Sequence, residues 1–203
     1  NLKVKMKTLR PPKLNKGDAI GLVAPASALA DSTKLEKAVH YFELQGYRVE
    51  VGKNVGRVHG YLAGTDEERA ADLHAMFSNK HVKAILALRG GYGTPRLLPR
   101  LNYSLIARHP KILCGYSDLT ALSLAIWKKC RLVTFHGPMA GVDFAGTVDA
   151  FTEEMFWRSL TSTKKIGRIQ FPESPDSLRK GTARGRLLGG NLFRATHFIL
   201  FVQ

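Results

Sequence analysis

KILCGYSDLTALSLAIWK, residues 111–128, decides the fold class. Its apolar run Ile112-Leu113-Cys114 is too short for a core helix and shows no polar alternation. It reads as a strand buried on both faces, as in a parallel sheet covered by helices. Gly115-Tyr116-Ser117-Asp118 breaks the run, and residues 119–128 read as helix. Working outward, the same alternation recurs. Residues 19–24 form an apolar run. Residues 31–45 repeat Leu35, Val39, Phe42 and Leu44 near helical spacing and stop at Gly46, and residues 47–51 alternate as a strand. Thr65-Asp66-Glu67-Glu68 is a capping box opening a helix that carries Ala70, Leu73 and Phe77. Residues 84–88 and 132–135 complete five strands, and residues 149–160 read as a last helix. The predicted fold class is α/β, a mostly parallel sheet flanked by helices, with a nucleophile elbow and the start of an incomplete second domain.

The boundaries follow composition. Residues 1–160 form the α/β nucleophile domain. Residues 161–181, rich in Ser, Thr, Pro, Lys and Arg, form a linker with at most one short strand at 166–171. Residues 182–203 begin something new but are too few for a domain. The N-terminal basic stretch before Ala19 imitates a signal peptide. Asp18 and Pro25 interrupt that pattern, so a buried strand is the better reading.

Of 203 residues, 44% are hydrophobic and 23% charged, which suits a globular chain. No run approaches the ~18 apolar residues of a membrane span. The two cysteines, Cys114 and Cys130, show no metal spacing and no disulfide framework, which points to a reducing compartment. The net charge of +15 is high. Its basic residues are scattered and no aromatic-interleaved basic motif accompanies them, which argues against nucleic acid and favours acidic small substrates, carboxylate-bearing ones among them, or an absent acidic segment.

Three turns at strand ends hold the chemistry. Ser117, between strand and helix, suits a nucleophile elbow, with the Asp118 N–H placed to hold an oxyanion. Position 119 is Leu rather than the second Gly of G-x-S-x-G, and Ser117 or Asp118 as a helix cap is the preferred reading of this turn taken alone. Gly90-Gly91-Tyr92-Gly93 lets the backbone approach a ligand, or makes a tight turn. His136-Gly137 places a histidine at a strand end, as a base, a ligand or a structural hydrogen-bonding residue. Cys114, inside its strand, reads as a small buried residue.

Together these pieces resemble one family. Gly17-Asp18, Ile20-Gly21-Leu22-Val23-Ala24-Pro25-Ala26-Ser27, Arg89-Gly90-Gly91-Tyr92-Gly93, Gly115-Tyr116-Ser117-Asp118-Leu119-Thr120-Ala121-Leu122, His136-Gly137-Pro138-Met139 and Gly189-Gly190-Asn191-Leu192 occur in the order found in the LD-carboxypeptidases and the related microcin-immunity peptidases. The resemblance implies a metal-free Ser-His-Glu serine peptidase that releases terminal D-Ala from murein tetrapeptide in cytoplasmic peptidoglycan recycling. It makes Ser117 the nucleophile and the Asp118 and Gly91 N–H groups the oxyanion donors. Gly90, Tyr92, His136 and Gly137 become substrate-binding residues. The family's Glu and His come from a C-terminal domain, and residues 193–203, His197 included, match neither segment. The expectation is a truncated or frameshifted chain with little activity of its own, whose apolar tail and Leu187 and Leu188 favour association, including a homodimer. Two other readings stand beside it: a microcin-immunity-type hydrolase of peptidyl or aminoacyl nucleotides, and a non-catalytic module that binds muropeptides or other anions.

Overall fold

Ala19–Val23 (β1) is buried at all five positions, because strands lie on both its edges and helices on both its faces. In the computed structural model, which describes residues 7–169, 176, 179–182, 184 and 189–191, four parallel strands run in the order β2-β1-β3-β4. The other three are Arg48–Val51 (β2), Val82–Ala87 (β3) and Ile112–Cys114 (β4). Continuous apolar runs rather than alternation are what two covered faces require. The α/β class expected from the sequence is the one found.

The period-2 geometry of the strands sorts their side chains into two cores. Ile20, Leu22, Ala84, Leu86, Ile112 and Cys114 face one side. There they meet Thr33–Leu44 (α1) through Ala38 and Phe42, Ala140–Asp143 (α6) through Ala140, and Ala150–Thr161 (α7) through Phe156 and Leu160. Ala19, Val23, Val82, Ile85 and Leu113 face the other side. They pack on Asp66–Ser78 (α2), Thr94–Leu97 (α3), Tyr103–Arg108 (α4) and Leu119–Cys130 (α5). A register shift between Ala19 and Ile20 against β3 keeps both sets on their proper faces.

Local signals explain most element ends. Thr65 Oγ1 accepts from Glu68 N at 3.2 Å while Glu68 Oε2 accepts from Thr65 N at 2.9 Å, so the expected capping box forms. Asp149 caps α7 by accepting from Thr152 N at 2.9 Å.

The expected fifth strand is corrected. Residues 132–135 make only isolated parallel bridges, Leu132 with Leu9 and Phe135 with Cys114. Val133 N donates to Leu9 O and Phe135 N to Leu113 O, so this short segment changes partners before a ladder can form. Residues 94–108, to which the sequence reading assigned no element, hold α3, a 3-10 turn at Leu98–Arg100 and α4. Residues 166–169 form no strand, and most of the proposed linker and tail, including Leu187, Leu188 and His197, lies outside the described residues. Among the described residues no helix is long and apolar enough to cross a membrane.

The sheet order places the site. From β1 the chain moves to one side, to β2, then returns past β1 to β3 and β4. Neighbouring strands β1 and β3 therefore send their following segments to opposite faces, α1 to one and α3 to the other. In open α/β sheets a crevice forms at the strands' carboxyl ends at such a point.

Candidate active site

Three loops meet at that crevice. The loop after β1 brings Ser27, whose N–H donates to Gly90 O at 3.3 Å and whose Oγ accepts from Tyr92 N at 3.2 Å. Gly91 has φ +109°, and a Cβ built on it would lie 2.2 Å from Ser27 Oγ. A side chain there would meet both a left-handed backbone and a steric overlap, so this close approach requires glycine. Among the described residues nothing accepts the Gly91 N–H.

The third loop carries Ser117 between β4 and α5. Its φ is +60°, one of two positive values found at non-glycine residues among those described. A strained turn of this kind lifts a side chain clear of the sheet. A Cβ at Gly90 would sit 3.1 Å from Ser117 Cβ, 3.4 Å from its Oγ and 3.5 Å from Asp118 N. The bare Gly90 backbone therefore leaves open the space beside both the hydroxyl and that amide.

The capping alternative finds no support. Asp118 occupies the N-cap position of α5 without a side-chain cap bond, and among the described residues no hydrogen bond ends on Ser117 Oγ. The first helical amides, of Leu119, Thr120 and Ala121, donate instead to the carbonyls of Tyr116, Ser117 and Asp118. With backbone acceptors in place, the turn needs no side-chain cap.

Asp118 has a different task from the one its position suggests. Its Oδ2 accepts from Thr94 N at 2.9 Å, and its carbonyl accepts from Thr94 Oγ1 at 2.6 Å, both buried. These bonds fasten the start of α3, and with it the glycine turn, to the serine turn. On the opposite side, buried Arg69 of α2 donates to Pro25 O at 2.6 Å and also to Asp66. Asp66 further accepts from Arg96 at 2.9 Å, and the Arg96 hydrogen bond is the main reason its carboxyl lies below the usual range. Sequence inspection missed Arg69 and Thr94 as supports, since a buried arginine on an amphipathic helix looks like any surface arginine.

The structure thus gathers Ser117, Asp118, Gly90, Gly91 and Tyr92. Tyr92 is exposed, its ring edge-on to that of Tyr61 at 6.3 Å. His136 and Gly137 stand apart from this group. They line a neighbouring cavity of about 340 Å³ with Cys114, Phe135, Pro138 and residues of α7, and Ser117 is not part of its lining. His136 lies edge-on to Tyr116 at 6.3 Å, and desolvation by the surrounding protein lowers its pKa. Cys114, wholly buried, has its thiol pushed up to about 12 by desolvation, which leaves it protonated and inert.

The parallel sheet that carries this serine turn is a fold shared with known proteins. The model of the LD-carboxypeptidase N-terminal domain matches residues 20–137. The chain belongs to the LD-carboxypeptidase family. Among its relatives is a probable murein peptide carboxypeptidase of Bacillus subtilis, 43% identical over 90% of this chain and 57% of that protein. The murein tetrapeptide carboxypeptidase of Pseudomonas aeruginosa is 34% identical over 85% of this chain and 57% of its own length. The microcin C7 self-immunity protein MccF of Escherichia coli is 32% identical over 87% of this chain and 59% of that protein. A solved MccF structure superposes with a TM-score of 0.82 at 29% identity, covering 94% of this chain and 65% of that one. MccF has also been solved with aspartyl sulfamoyl adenosine, and as an active-site mutant in which a serine, an asparagine and a lysine are replaced by alanine. The chain spans somewhat over half the length of the curated relatives it matches.

Proposed function

We propose that this chain is the nucleophile-bearing part of a serine carboxypeptidase that releases terminal D-Ala from murein tetrapeptide during cytoplasmic peptidoglycan recycling. The observation that carries the reading is Ser117 at φ +60° facing the side-chain-free backbone of Gly90. Ser117 Oγ attacks the carbonyl carbon of the last peptide bond as a general base takes its proton. The developing oxyanion is held by the N–H groups of Asp118 and Gly91. The carbon–nitrogen bond then breaks, D-Ala leaves with the proton returned to its amine, and water hydrolyses the acyl-serine. The histidine and glutamate that the family resemblance implies as base and orienting acid are assigned to no residue here. Gly90 and Tyr92 border the substrate, and His136 and Gly137 contact it from the neighbouring cavity. In this reading residues 1–160 are the nucleophile domain, 161–181 the linker, and 182–203 the start of the next.

A second reading is favoured by the close superposition on MccF, which binds aminoacyl sulfamoyl nucleosides. In it the same serine would hydrolyse peptidyl or aminoacyl nucleotides. The deciding experiment offers the full-length protein both murein tetrapeptide and an aminoacyl nucleotide. D-Ala release that disappears in Ser117→Ala supports the first reading, and nucleotide hydrolysis with the same dependence supports the second. Undiminished turnover in Ser117→Ala sinks both. Muropeptide binding without turnover under any condition leaves a binding module.

A further inference from the structure

Thr120, the second residue of α5, is 2% exposed, and its hydroxyl is turned to a distant part of the chain. A buried threonine hydroxyl in a helix ordinarily bonds a carbonyl of its own preceding turn. Here Oγ1 accepts the backbone N–H of Asn191 at 2.9 Å, across 71 residues. Gly190 is held just as closely. Its φ is +150°, and a Cβ built on it would lie 2.4 Å from Thr120 Cγ2 and 3.1 Å from Oγ1. The methyl of Thr120 and the missing side chain of Gly190 fit one another. On its other side Thr120 N donates to Ser117 O at 3.1 Å. One residue therefore touches both the strained serine turn and the returning backbone of residues 190–191.

We propose that Thr120 is a positioning residue, a latch that fastens residues 190–191 to the turn carrying Ser117. The role rests on Ser117 being the nucleophile, but the latch itself can be tested without that assumption.

In the full-length protein, Thr120→Val keeps the shape and removes the hydroxyl that accepts the Asn191 N–H. Hydrogen exchange at the Asn191 amide is expected to speed up by about tenfold while β1 and β3 amides are unchanged. D-Ala release should lose about tenfold in kcat with KM nearly constant, the signature of misplaced rather than missing binding groups. Thr120→Ser keeps the acceptor and should retain both readouts. Gly190→Ala should behave like Thr120→Val, and adding Thr120→Ser should recover part of its loss, because the overlapping Cγ2 is then gone. Unchanged Asn191 exchange in Thr120→Val overturns the latch. Faster exchange with unaltered kcat overturns the positioning role, as does a double variant no better than Gly190→Ala. Retained turnover in Ser117→Ala is a separate result that removes the nucleophile and leaves the exchange test standing.

Discussion

Asp118 shows how much loop geometry one carboxylate can hold in place. Its carboxylate satisfies the buried Thr94 N–H, which holds the glycine turn against the serine turn. Asp118→Ala leaves that donor without an acceptor, a loss of about 1–3 kcal/mol. Asp118→Asn, whose amide oxygen can still accept, should recover most of it. Urea unfolding of the two variants measures the difference, and equal stabilities would remove the assigned role. Lys111 offers a second residue-level test. Its ammonium is buried, donates to the carbonyls of Met76, at 2.7 Å, and Asn79, and has its pKa pulled down to about 8 by desolvation. The unfolded chain, with an ordinary lysine near 10.5, binds more protons across the interval between those values. Stability should therefore rise with pH from about 8 to about 10.5, and Lys111→Met should lack that rise. The serine at a strand end was legible in the sequence because strand, turn and helix are adjacent in the chain. Thr94 and Thr120 were not, since each earns its role through a contact made only after the sheet brings distant segments together.

At the scale of elements, legibility followed length and burial. β1, β3 and β4 announced themselves as apolar runs, and α2 as a capping box followed by helical spacing. Four- to six-residue helices such as α3, α4 and α6 are too short for a period to show. Residues 132–135 misled because an apolar run predicts burial, whereas a strand needs a continuous partner. The junction of α2 and α4 should respond to pH. His74 Nε2 accepts from Asn102 N at 2.9 Å, which requires a neutral ring, and burial lowers the histidine's pKa. A depressed pKa means that the unfolded state binds the proton more readily. The contribution is thus complete above about pH 6.5 and is lost as pH falls through the folded value. Below pH 6.5 the wild type should lose stability relative to His74→Ala, with faster exchange at the Asn102 amide. An acid limb identical in the two proteins would contradict this.

At the scale of the whole molecule, the matched family segment ends at residue 137, yet α7 is built into the same core. Phe156 is 4% exposed and packs against Phe42 of α1 and Phe144, with ring centroids 6.5 and 4.7 Å away. Trp157 stacks on Tyr47 at 5.0 Å and donates to Tyr41 Oη at 3.0 Å, while Lys16 sits over both the Tyr47 and Trp157 rings. Leu14 N donates to Leu160 O at 2.8 Å, which ties the first described segment to the last helix. The cluster therefore closes the face of the sheet opposite α2 and α5. Removing the Phe156 ring should open a cavity in that face and cost about 3–5 kcal/mol, as for other buried Phe→Ala changes. Because α7 shares its core with β1 and β3, the loss should appear as one cooperative unfolding transition at lower denaturant, with an unchanged slope. A separate early transition, with the main one unmoved, would mean that α7 is an appendage and that the domain ends before it.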